Sequence, residues 1–361
     1  MEMINSTVEQ DVNQEQLIKK YEEELFFEDL EKNKWKEIWK QIKKNWIIYL
    51  MVLPVVLFFV LFRYLPINGI LIAFKNFADY TKSVNQAEWV GFAGFEKLLF
   101  GTHSSRFWQA FRNTFTLSAY GLIFGFPAPI VVALLFSEVK NIKVRTITQI
   151  LSYLPHFLST VVVTSLIFLM FFGGSEINPH PGLLAGIFKK LGIESDPATN
   201  TIMANPKFFR PIYIVSGIWE GAGYGSIVYF AAIMSISPTS YEAAKIDGAT
   251  KLDQIKHITF PGMAPTLTIM LILRIGQILS VGFEKVILLS GPYYYQLMET
   301  AEVLSTFSAT LGGIQPDAPG GVNQYGITVG AAGELFNSLI AMFLVLGSNY
   351  ISRKVSDTSL F

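Results

Sequence analysis

Six stretches of mostly apolar residues, at about 46–66, 114–137, 148–172, 212–236, 263–283 and 330–350, constrain this chain more than any other feature. A hydrocarbon core of about 30 Å takes about 20 apolar residues of helix to cross, and each stretch has that length. Composition agrees: 51% of the residues are hydrophobic, 30 are Phe and only 16% are charged, where a soluble domain carries about 25% charge. The expected fold class is all-α, a polytopic membrane protein with six transmembrane helices. The expected organisation is a cytoplasmic segment 1–45, partly an amphipathic helix, then a membrane domain 46–350 containing the loop 237–262, then a cytoplasmic tail 351–361.

Lys and Arg placement orients such a bundle, because cytoplasmic loops carry the excess of both. Segments 1–45, 138–147, 237–262 and 351–361 hold 16 basic residues in 92 positions, against 10 in 132 for 67–113, 173–211 and 284–329. Both termini and the 237–262 loop are therefore expected in the cytoplasm, with the chain multi-pass in a bacterial plasma membrane. No cleavable signal precedes the first apolar stretch, so that span is expected to serve as an uncleaved anchor. From about 14 to 45 the pattern is helical, with Trp35, Trp39, Ile42 and Trp46 forming a stripe among lysines. Such a helix is expected to lie in the inner membrane interface. On the other side, 182–192 reads as a short amphipathic helix, and the loop 284–329 is long enough to suggest function.

Catalytic constellations are missing. No Gly-x4-Gly-Lys-Ser/Thr phosphate loop occurs, so the chain is not expected to bind ATP. The four histidines never take metal-site spacing, no metal site is expected, and the absence of cysteine excludes disulfides and Cys-ligated metals. Zero formal net charge comes without a clustered basic face, and no nucleic-acid partner is expected. The chain is not expected to be an enzyme.

The loop between the fourth and fifth spans carries more information. Thr239 and Glu242 have the spacing of a capping box, Gly248 sits where a helix end favours positive φ, and Thr250 with Asp253 offers a second N-cap. Pro261 is expected to end the second helix. An ordinary helical hairpin between spans would look the same. The whole spacing says more. Tyr241-Glu242-Ala243-Ala244-Lys245-Ile246-Asp247-Gly248-Ala249, then Ile258-Thr259-Phe260-Pro261 after nine residues beyond the glycine, resembles the cytoplasmic signature loop of binding-protein-dependent ABC importer permeases. The one departure is Phe260, where that family usually has Leu.

The resemblance implies a type I ABC importer permease fold and a coupling role for the loop. Glu242 and Asp247 would fix it in an ATPase groove, Ala243 and Ala244 would allow close contact, Gly248 would set the bend, and Ile258 and Pro261 complete the signature. It also implies the partners: a second, homologous permease subunit, two ATPase subunits that carry the ATP and Mg, and an extracellular solute-binding protein. Further segments, among them Tyr64-Leu65-Pro66, Trp219-Glu220-Gly221, Gly282-Phe283-Glu284 and Asn349-Tyr350-Ile351-Ser352-Arg353-Lys354, are similar to LplB-type oligosaccharide and polysaccharide permeases of the maltose-transporter superfamily. An oligosaccharide substrate is implied by that similarity alone.

A sugar path needs hydrogen-bonding groups and aromatic faces, so Trp219, Tyr224, Tyr229, Tyr153 and Asn337 are candidates. Two charges join them, because charge inside a span is expensive. Glu220 and Arg274 lie at matching depths of about 12 and 13.5 Å from the outer ends of their spans. They are expected either to pair or both to face the path. The alternatives are an importer permease for a non-sugar solute and an ion-coupled secondary transporter. The latter favours inverted repeats with midplane acids, and no such symmetry is visible.

Overall fold

In the computed structural model of the protein, residues 36, 38–77, 83–172, 181–193, 201–312 and 326–355 are described. Most of the expected interfacial leader, from 14 to 35, lies outside them. Among the described residues the chain is helical, with a single isolated antiparallel bridge between Lys75 and Trp89. It divides into two compact units, Met1–Gly69 and Ile70–Phe361.

The first unit carries α1 (Trp46–Phe59), which contains Pro54 and no buried residue. Its side chains are apolar all round, from Trp46 to Phe59. A helix without a polar face belongs in an apolar surrounding.

The second unit holds α2 (Ala93–Leu99), α3 (Ser104–Tyr120), α4 (Pro127–Glu138), α5 (Ile142–Tyr153), α6 (Thr160–Phe171) and α7 (Leu183–Lys190). Then follow α8 (Pro206–Met234), α9 (Pro238–Ile246), α10 (Lys251–Gln254), α11 (Phe260–Gly276), α12 (Phe283–Ser290), α13 (Tyr294–Ala301), α14 (Leu304–Leu311) and α15 (Gly326–Val355). Among the described residues four helical runs are long and apolar enough to cross a membrane: Trp46–Phe74, Ser104–Glu138, Lys251–Gly276 and Gly326–Lys354. The expected span 148–172 is instead a broken pair, Ile142–Phe157 and Thr160–Phe171, bent by 98°. Sequence explains the break: Pro155 has no N–H to donate, and the Ser159 hydroxyl accepts from Val162 N–H at 3.4 Å to start a new helix. α8 has 29 residues, ample length, but Glu220 and four glycines dilute its apolarity.

One expected helix end is corrected. Pro261 does not terminate a helix, because a π turn at Ile255–Thr259 feeds directly into α11. Pro261 lies just past that π turn, inside the continuous helical run Lys251–Gly276, where it has no N–H to donate to the preceding turn.

The described parts of the long loop 284–329, residues 284–312 and 326–329, are folded rather than open. α12, α13 and α14 bury Val286, Leu289, Leu297, Leu304, Phe307 and Leu311. A polar lock ties this layer to α3: Arg106 Nε donates to Glu302 at 2.8 Å, and the Thr114 hydroxyl accepts from Leu304 N–H at 2.9 Å. Asn113 Nδ2 donates to the carbonyls of Glu299 and Glu302, both at 3.0 Å, while Arg210 of α8 donates to its Oδ1 at 2.9 Å. Burial pushes the Glu302 carboxyl above the usual carboxylate range, and the Arg106 guanidinium pulls against that shift. The short helix expected at 182–192 is α7, which buries Ala185 and leaves Leu183 exposed.

Candidate functional site

Two features of the second unit could do work: an exposed two-helix loop and a cavity.

The loop is α9 and α10 with the turn between them. α9 starts at Pro238 behind Ser237, without a side-chain cap to the backbone. Thr239 therefore does not form the expected capping box with Glu242; its hydroxyl meets that of Ser237 at 2.7 Å. At the other end Gly248 takes φ +79°, its N–H reaches Lys245 O at 3.1 Å, and Ala249 N–H reaches Ala244 O at 2.9 Å. These are the bonds of a left-handed C-cap, which favours glycine. The second cap forms in both directions, Thr250 N–H to Asp253 Oδ2 at 3.0 Å and Asp253 N–H to Thr250 Oγ1 at 3.3 Å.

One bond ties the elbow to the residue that precedes α11, and a second braces the elbow internally. The Tyr241 and Thr259 hydroxyls lie 3.0 Å apart, and Gln254 Nε2 donates to Ala249 O at 3.2 Å. Glu242, Ala243, Asp247, Gly248 and Pro261 are exposed, while Ala244 and Ile258 are half-buried. Two apolar residues not singled out from sequence are more telling. Ile246 and Leu252, on either side of the turn, are 87% and 77% exposed. An apolar residue so bare on a loop of defined geometry suits a partner's surface. Their signal was available, as bulky aliphatics flanking the turn glycine.

The cavity has a volume of about 540 Å³ and lies between the α3–α4 junction, α8, α11 and the start of α12. On α8 its wall runs Tyr213, Gly217, Gly221, Gly225, Tyr229. Steps of four residues keep one helix face, so glycines open the space and a tyrosine closes each end. Room remains at Gly221 and Gly125, where an added Cβ would meet nothing within 4 Å. Arg274, Gln277 and Lys285 supply polar groups.

Of the seven path candidates, Arg274 and Tyr229 line the cavity. Glu220 and Arg274 do not pair. The Glu220 carboxylate accepts from Lys285 at 2.8 Å, a lysine that span counting places just outside the fifth span. The Lys285 ammonium also lies 5.6 Å from the Tyr213 ring centroid. Trp219 is half exposed and away from the cavity, since two residues from Gly217 and Gly221 is about half a turn. Tyr224 stacks on His156, ring centroids 4.0 Å apart. Tyr153 packs edge-on against Phe136, and Asn337 Nδ2 donates to Leu279 O at 3.2 Å. Among the described residues no cluster of His, Asp or Glu could hold a metal ion.

The family model of the binding-protein-dependent transport system inner membrane component matches residues 121–346. Protein LplB of Bacillus subtilis (strain 168) is 33% identical over 320 residues, covering 89% of this chain and 92% of its own. The polygalacturonan/rhamnogalacturonan transport system permease protein YteP of the same strain is 34% identical over 327 residues, 87% of this chain and 90% of its own. A crystal structure of a bacterial ABC transporter involved in importing the acidic polysaccharide alginate superposes with a TM-score of 0.73 at 38% identity, over 88% of this chain and 99% of that one. A second structure of such an alginate transporter, in complex with its alginate pentasaccharide-bound periplasmic protein, matches equally well. The chain belongs to the binding-protein-dependent transport system inner membrane components.

Proposed function

We propose that this chain is a permease subunit of an ATP-driven importer, carrying an oligosaccharide or polysaccharide delivered by an extracellular solute-binding protein. The relatives named for saccharide transport support the substrate class. The observation that carries the mechanism is the elbow α9–Gly248–α10, which bares Ile246 and Leu252 while the Tyr241–Thr259 hydrogen bond and the π turn Ile255–Thr259 join it to α11, a wall of the cavity. A push on the elbow is therefore delivered to the helix that bears Arg274.

In this reading a second permease completes the path, and two separate ATPase subunits bind and hydrolyse ATP with Mg. The chain spans the bacterial plasma membrane, with the 1–45 segment, the 237–262 loop and the 351–361 tail in the cytoplasm. ATP closure of the paired ATPases draws on the docked elbow and turns the cavity outward. The docked binding protein releases its saccharide, and hydrolysis restores the inward state. Glu242, Ala243, Ala244 and Asp247 shape the docking face; Ile258 and Pro261 carry the motion into α11.

Gly248→Pro tests the coupling. Proline fixes φ near −65° and has no N–H, so it loses both the +79° geometry and the bond to Lys245 O. Membrane insertion and assembly with the partner permease should persist while ATP-driven uptake stops. Uptake at the normal rate from Gly248→Pro would show that the elbow is not the coupling element.

A further inference from the structure

The cavity carries a charge that a neutral cargo does not need. Its lining includes two cations, Arg274 and Lys285, and no Asp or Glu. Lys285 is neutralised by Glu220 at 2.8 Å. None of the ion pairs among the described residues involves Arg274. Its guanidinium stands against the α3–α4 junction, where a Cβ added to Gly121 would lie 3.3 Å from Nη2. Charge within a membrane helix is costly and marks a pathway or a partner. For the hydroxyls of a neutral sugar, Gln277, Ser118 and the two tyrosines already offer hydrogen bonds.

Resting on the saccharide-permease reading above, we propose that this cavity selects uronate-bearing saccharides, with Arg274 receiving the carboxylate in transit. The guanidinium fork matches a carboxylate through two parallel N–H donors. Tyr213 and Tyr229, separated by about 24 Å along α8, line the two ends of the groove. Glu220 has its own part. By holding Lys285 it leaves the cargo one free cation instead of two, and a transport site must bind weakly enough to release.

The test uses the complete transporter, with its partner permease and ATPases, in lipid nanodiscs without binding protein. Equilibrium binding is measured for trigalacturonate and for the same trisaccharide with its carboxyls reduced to alcohols. The wild type should prefer the acidic sugar about tenfold or more, the span of one good charge-assisted contact. Arg274→Gln should reduce that preference to near unity, and Arg274→Lys should restore part of it. Glu220→Gln, which frees Lys285, should tighten acidic binding and slow ATP-driven uptake of trigalacturonate. Equal wild-type affinity for the two sugars overturns the selectivity but leaves the saccharide reading standing. So does an Arg274→Gln variant that keeps the preference or weakens both sugars alike. Binding of neither sugar, with no saccharide uptake in proteoliposomes, overturns both readings.

Discussion

Two glycines on α8 sit two residues apart and answer to different forces. A Cβ at Gly223 would overlap the backbone carbonyl of Ser152, so α5 and α8 are in contact only because position 223 has no side chain. Overpacking of this kind costs about 1–3 kcal/mol, and backbone cannot step aside as a side chain can. At Gly221 the same atom meets open cavity. Gly223→Ala should therefore lower the melting temperature and yield of the detergent-solubilised complex. Gly221→Leu should leave both near the wild-type values yet block saccharide uptake. Reversal of the two outcomes would mean that the space beside Gly221 is not the path. The Arg106–Glu302 pair makes a further prediction. Removing Arg106 strands a carboxylate that is fully buried, a loss of about 3–5 kcal/mol for pairs of this kind. Because burial raises the folded-state affinity of Glu302 for a proton, its contribution is fully present below the ordinary Glu pKa. It is lost as pH rises through the raised folded value. Glu302→Gln should flatten the fall in melting temperature across that window, and an unchanged pH profile would rule the linkage out.

Elements differ in how plainly the sequence announces them. The long spans were legible because an apolar run of about 20 residues has few other uses. The elbow was legible because Gly248, Thr250 and Asp253 each leave one local option open, and all three agree. The 98° break after Phe157 was obscured by a continuous apolar run, in which hydropathy is blind to a proline followed by a capping serine. Lys285 was missed because it lies just beyond an apolar run, although α12 folds back and returns it to Glu220. The cavity wall at Tyr213, Gly217, Gly221, Gly225 and Tyr229 was present as a four-residue rhythm. Aromatic character favoured Trp219, which is half exposed, and Tyr224, which stacks on His156, alongside Tyr229 of the wall itself. On α9 and α10, position 246 offers the cleanest element-scale test. A carboxylate at the exposed Ile246 costs the isolated fold little, since the side chain touches almost nothing, but it would have to be desolvated in an apolar groove. Ile246→Asp should leave melting of the permease pair unchanged and abolish co-purification of the ATPase. Full ATPase recovery with Ile246→Asp would place the docking surface elsewhere.

For the whole molecule, the absence of cysteine makes every introduced thiol addressable by itself. Lys245→Cys on the exposed elbow and Tyr295→Cys on α13, where the ring is 45% exposed, fix the two sides of the membrane. In intact cells a membrane-impermeant maleimide should label Tyr295→Cys at once and Lys245→Cys only after permeabilisation. Labelling of both from outside would defeat the assigned orientation. Gln277→Cys then probes the transport cycle. Gln277 is exposed and lines the cavity, on the stretch that leads from α11 to Lys285. Rocking of rigid helices around a fixed site exposes such a position to one compartment at a time. Without nucleotide, Gln277→Cys should react from the cytoplasmic side of inverted vesicles. With ATP and vanadate trapping the closed ATPases, it should react from the opposite side instead. The Gly248→Pro variant separates coupling from mere flexibility. If the elbow transmits the stroke, Gln277→Cys in that background keeps its resting accessibility whether or not nucleotide is trapped. Switching that persists with the elbow broken would assign the transmission to another contact with the ATPases.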